Sequence, residues 1–144
     1  MIKIEKVNSE LSKDEREFLK WFVSCPEMEK KFKKARVVAD EVIKVIKPDL
    51  PLFLPYLHSE KRRAVFVILV AKVGKKVGSL TCRDIVPPLY WILKELKMNP
   101  VVVIGQVDQR EEWHIWVEVD GYIADSLLVE KERYTSWVKF KVEL

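Results

Sequence analysis

Three residues of the kinds that do covalent chemistry occur in a fixed order: Cys82 in Gly78-Ser-Leu-Thr-Cys-Arg-Asp-Ile85, His114 in Trp113-His-Ile-Trp-Val-Glu-Val119, and Asp125 in Gly121-Tyr-Ile-Ala-Asp-Ser126. A cysteine thiolate can attack a carbonyl carbon to give a thioester, a histidine can shuttle the proton, and an acid can fix the imidazole tautomer. Each residue alone has a bland reading. A cysteine near a helix start is usually a small core hydrophobe, a histidine beside two tryptophans a packed surface group, and a strand-end aspartate a solvated acid. It is the combination that points to a nucleophile, a base and an orienting acid. Cys25, followed by Pro26, has no base near it in sequence and is read as structural.

The elements that must position these residues can be read from periodicity and punctuation. Ser12-Lys-Asp-Glu15 has the spacing of a capping box and opens a predicted helix over 12–24, with Phe18, Leu19, Phe22 and Val23 at helical spacing. Pro26 opens a second helix that Pro48 stops, and its core stripe is Met28, Phe32, Ala35, Val38/Ala39, Val42 and Val45/Ile46. Residues 49–58, with prolines 51 and 55, read as an irregular connection. A third helix is expected from Ser59 through Val73 with Gly74 as its stop, although Val65–Val70 would also suit a buried strand. A loop over 75–81 then delivers Cys82. A fourth helix is expected from about Asp84 to Lys97, its start limited by Pro87 and Pro88, so Cys82 falls at or just before a helix N-terminus. There the partial positive charge favours a thiolate, and free amides can donate to an oxyanion.

After Pro100 the pattern changes to strand runs at 101–107, 113–119, 122–128 and 136–142, which predict a four-stranded antiparallel sheet. Asp120-Gly121 is a type I′ hairpin signal. That turn pairs Val119 with Tyr122 and Trp116 with Asp125, so His114, Trp116 and Asp125 share one face with Asp125 diagonal to His114. The opposite face, Trp113, Ile115, Val117, Val119, Tyr122 and Ala124, is apolar and should pack against the helices or another core layer.

Residues 78–128 resemble the transglutaminase-like superfamily, whose core has the papain-type cysteine protease arrangement. The matching text is Cys82-Arg-Asp84, Trp91-Ile-Leu-Lys-Glu-Leu-Lys-Met98, His114-Ile-Trp-Val-Glu-Val119 and Asp125. Gly78 lies four residues before the cysteine, Pro87-Pro88 sit in the nucleophile helix, and Ser126-Leu127 follow the aspartate, each a departure from the family's pattern. The resemblance implies Cys82 as nucleophile, His114 as general base and acid, and Asp125 as orienting acid. It also implies a thioester step and no cofactor.

The bulk numbers set the frame. At 144 residues and 49% hydrophobic, the chain is read as one α+β domain over 1–144, N-terminal helices (about 1–98) packed on a C-terminal antiparallel sheet (about 99–144) with a transglutaminase-like core. No run is long and apolar enough for a membrane span or leader, so a cytoplasmic protein is expected. Abundant Lys and Glu against two Asn and two Gln suggest a thermophilic source. In such a source the two cysteines could be oxidised even in the cytosol. Residues 1–81 carry 18 Lys/Arg against 11 Asp/Glu and residues 82–144 carry 8 against 11, so the basic half is separate from the candidate site. A solvated helix surface is preferred there to a nucleic-acid interface.

Two functions follow. The first is a cysteine-dependent acyl-transfer enzyme acting on a peptide or protein, expected to hydrolyse a peptide or isopeptide bond rather than cross-link glutamine to amine. The second is a transglutaminase-like binding module for protein or nucleic acid, using Lys30, Lys31, Lys33, Lys34 and Arg36. A zinc set of Cys82, His114, Asp125 and His58 is disfavoured because the sequence has no short chelating pair. It also has no phosphate loop and no dinucleotide fingerprint.

Overall fold

The computed structural model describes residues 2–8, 10–107, 113–124 and 134–143. The elements are β1 (Ile2–Val7), α1 (Lys13–Ser24), α2 (Pro26–Ile46), a 3-10 turn (Lys47–Asp49), α3 (Leu50–Leu57), α4 (Arg62–Val77), α5 (Cys82–Glu95), β2 (Val101–Val107), β3 (Trp113–Val119), β4 (Tyr122–Ile123) and β5 (Tyr134–Val142). The chain is α+β, with helices packed on one face of a five-stranded antiparallel sheet of order β1-β5-β2-β3-β4. Among the described residues no helix is long and apolar enough to cross a membrane.

The helix α5 is the centre of the fold. Every residue from Ile85 to Leu93 is buried, so this helix is apolar all round and has protein on every side of its middle. Trp91 Nε1 donates to the Phe32 carbonyl of α2 at 2.7 Å. On the sheet side, Tyr90 Oη accepts from Val142 N at 3.0 Å and donates to Val142 O at 3.3 Å. Phe32 meets Tyr90 and Phe140 edge-on, joining α2, α5 and β5 in one aromatic core. These ties fix the axis of α5 and hence where its first residue, Cys82, emerges.

Local signals account for much of the rest. Ser12 and Glu15 form the full capping box of α1, Ser12 N donating to Glu15 Oε1 and Glu15 N to Ser12 Oγ, both at 3.2 Å. Asp120 (φ 51°) and Gly121 (φ 81°) take the two positive φ values of the type I′ turn. Val119 pairs with Tyr122 and Glu118 with Ile123, in the expected register. The ambiguous run Val65–Val70 is helical within α4.

Four expectations need correction. Residues 50–57 form a helix, because Pro51 falls in its first turn and the carbonyl that Pro55 deprives of a donor belongs to the exposed Pro51. Ser59 is not the cap of α4, which begins after Lys61 and runs past Gly74 to end at Gly78 in the left-handed region (φ 73°). The helix α5 begins at Cys82 with Pro87 and Pro88 in its second turn. Both rings are buried, and the carbonyls they deprive of partners belong to Arg83 and Asp84 at the exposed end of the helix. Finally, the sheet has a fifth strand, β1, paired with β5 from Ile2↔Val142 to Val7↔Val138. Of the expected strand over 122–128, residues 125–128 lie outside the described residues.

Candidate active site

Cys82 is delivered by a tightly organised turn. Gly78 N and Ser79 N both donate to the Gly74 carbonyl, at 2.8 and 3.2 Å, folding the chain back over the last turn of α4. Glycine at 74 leaves room for this fold-back, since a Cβ there would come 2.5 Å from Leu80 Cδ2, the end of an exposed side chain, and 3.2 Å from Ser79 O. Thr81, the N-cap of α5, donates from Oγ1 to Asp84 Oδ2 at 2.8 Å, and its carbonyl accepts from Asp84 N and Ile85 N at 3.0 Å. Those hydrogen bonds from Thr81 and then Ser79, aided by Lys31 and Arg83, hold the Asp84 carboxyl below its ordinary range. Asp84 is therefore an anion in the first turn of α5, where the helix dipole favours one.

Cys82 is half-buried as the first residue of α5. Cys25 is half-buried at the junction of α1 and α2, and no disulfide joins the two. His114 is half-buried on β3 opposite Gly105 of β2, with its Nε2 buried. Cys82 and His114 line the same cavity of about 850 Å³, which opens between α5, β3 and the first two helices. Asp125 lies outside the described residues. The described hairpin leads towards it in the expected register, with Ala124 N donating to Val117 O at 2.7 Å.

The expectation that Ile115, Val117, Val119 and Ala124 face the helices holds, since all four pack in the main core. Trp113 and Tyr122, expected on that face too, are 39% and 48% exposed at the strand ends. Alternation then places Trp116 on the far face, where it packs with Val103, Ile123 and Trp137. His114 starts from that same far face, while Cys82 comes from the helix side. The cavity is reached from both because it wraps the end of β3: Trp113, His114 and Ile115 line it in succession. β4 pairs with Glu118 and Val119, and the residues that follow Ala124 lie outside the described residues.

Sequence reasoning missed Glu118. It is 6% exposed; its Oε1 accepts from Trp116 Nε1 at 3.2 Å and its Oε2 pairs with Lys139 Nζ at 3.2 Å. The signal was present, since period-two spacing puts His114, Trp116 and Glu118 in one column of β3. Its place is on the face away from Cys82, bracing the strand that carries His114.

Lys30, Lys31, Lys33, Lys34 and Arg36 are all exposed on α2, and Lys31 also lines the cavity. His58 is exposed at the end of α3. Among the described residues no group of three His, Cys, Asp or Glu side chains is placed to hold a metal ion. No protein-family model, curated protein or solved structure matches this chain.

Proposed function

We propose that the protein is a cysteine-dependent acyl-transfer enzyme of transglutaminase-like type, hydrolysing a peptide or isopeptide bond. The observation that supports this best is the shared cavity, with a thiol at the first position of a helix and an imidazole in one space of about 850 Å³. That volume lies within the range of ligand pockets. Cys82 loses its proton to His114 and attacks the carbonyl carbon. The tetrahedral oxyanion is stabilised by amides at the start of α5, where the helix dipole adds to their effect. Collapse expels the amine, which takes the proton from His114, and leaves a thioester on Cys82. Water, deprotonated by His114, then releases the acid and restores the thiol. Asp125 has the role of holding the His114 tautomer.

A second reading, a binding module of the same fold, has one observation in its favour: strand alternation starts His114 on the face away from α5. Thiol chemistry separates the two. An activated Cys82 alkylates well below pH ~8.5, the region where an ordinary thiol begins to ionise. Iodoacetamide rates against pH, mapped to Cys82 and Cys25, give the answer. The enzyme reading expects Cys82 to react faster than Cys25 at pH 6–7 and His114→Ala to abolish the difference. Equal reactivity of the two cysteines, both rising only above pH 8, would establish the binding module instead.

A further inference from the structure

We infer, on the reading that Cys82 is the reacting thiol, that the acyl group it accepts comes from an acidic peptide: a bulky apolar residue at the reacting carbonyl, flanked by an acidic residue. In a thioester mechanism the acyl part becomes bonded to Cys82 Sγ in the first step and is released from it only in the second, so the cavity that Cys82 lines must hold it between the two. The apolar part of its lining is Phe22 of α1, Met28 of α2, Pro87 of α5, Ile104 of β2, and Trp113 and Ile115 of β3. Phe22 and Trp113 are 38% and 39% exposed, large apolar surfaces that an apolar side chain would cover.

The cavity does not end there. Lys31, Arg83 and Asp84 line it and also line a neighbouring groove of about 270 Å³ between α2 and α5. Lys34 extends the same groove, while Asp84 is its carboxylate and is already engaged by Thr81 Oγ1. Three cations against one carboxylate leave a net charge of +2 along the path out of the cavity. A chain whose apolar residue fills the cavity therefore passes a cationic groove with its next residue, and a carboxylate there is complementary.

Four peptidyl chloromethyl ketones test this, carrying Phe or Gly at the ketone and Glu or Lys one residue before it. The thiolate displaces chloride to form a thioether, and intact-mass analysis with peptide mapping follows the rate at Cys82. Phe should exceed Gly at least about tenfold, the effect of burying one large apolar side chain. Glu-Phe should exceed Lys-Phe by roughly fivefold at low salt, converging near 1 M salt as surface charges are screened. Lys31→Glu, an exposed change that takes the groove from a net charge of +2 to 0, should abolish the Glu over Lys preference, and Phe22→Ala should reduce the Phe over Gly ratio. Equal rates for all four ketones at Cys82, or a Glu/Lys ratio untouched by Lys31→Glu, overturn this specificity while leaving the thiol reading standing. No labelling of Cys82 by any ketone overturns the thiol reading and the specificity with it.

Discussion

Replacing Tyr90 by phenylalanine tests what holds α5, and with it Cys82, in place. The hydroxyl accepts from Val142 N at 3.0 Å and donates to Val142 O at 3.3 Å, joining the central helix to β5. In Tyr90→Phe the Val142 carbonyl keeps Lys94 Nζ at 3.0 Å, but the Val142 amide loses its acceptor. Val142 is fully buried, so that donor is stranded, which costs about 1–3 kcal/mol. The aromatic contact with Phe32 survives, since the ring is unchanged. A loss of that size lowers Tm by roughly 3–10 °C in a domain of this length. Burial chiefly, then the charges of Glu143 and Glu5, push the Tyr90 hydroxyl above its ordinary value of 10.0, against the Val142 hydrogen bond. Because the folded pKa is the higher one, the stabilisation is fully present below pH ~10 and is lost as pH rises through the folded value. Urea unfolding of both proteins at pH 7 and pH 10.5 measures this, with the gap between them narrowing at the higher pH. A difference under about 0.5 kcal/mol at pH 7 would refute the stranded-donor reasoning.

Other expectations follow from the same geometry. Gly74→Ala gains about 1 kcal/mol of helix propensity. Its Cβ, however, must displace Ser79 O, 3.2 Å away in the turn that delivers Cys82. Stability should stay within about 1 kcal/mol of wild type while Cys82 alkylation slows; unchanged rates would show that the turn does not depend on this close approach. Asp120→Ala should cost about 1 kcal/mol, because alanine resists the left-handed conformation that Asp120 adopts (φ 51°). Asp120→Gly should not, and equal losses in thermal melts would reject the turn argument. Lys139→Met removes the cation 3.2 Å from the Glu118 carboxylate, which is 6% exposed. Lys139 is itself only partly buried, so a loss of about 1–3 kcal/mol is expected, below the 3–5 of a fully buried pair. The double variant Lys139→Met/Glu118→Gln should recover much of it. If Lys139→Met melts like the wild type, the pair contributes nothing. Asp125→Asn should impair any activity without lowering Tm, because an amide can donate to the ring and favour the wrong tautomer. Full activity would remove Asp125 from the mechanism.

What the sequence determined by itself is what neighbours in the chain decide. The capping box at Ser12 and Glu15, the entry of α2 at Pro26 and the Asp120-Gly121 turn with its register all depend on interactions spanning a few residues. So does the arrival of Cys82 at a helix start, although its prolines concealed by two residues where that helix begins. Tertiary structure decided the rest. Ile2–Val7 is a strand only because β5, from the other end of the chain, offers it a hydrogen-bonding edge. The prolines of α5 are tolerated because the surrounding core buries their rings and the carbonyls they deprive lie at its exposed end. Period-two spacing put His114 on the face of β3 opposite the apolar column expected against a core layer, and packing placed that column against the helices. The same packing lets a cavity curve round the strand end to meet Cys82. Glu118 and Lys139 found each other for the same reason: the low-dielectric space that makes their pairing necessary exists only once the sheet has formed.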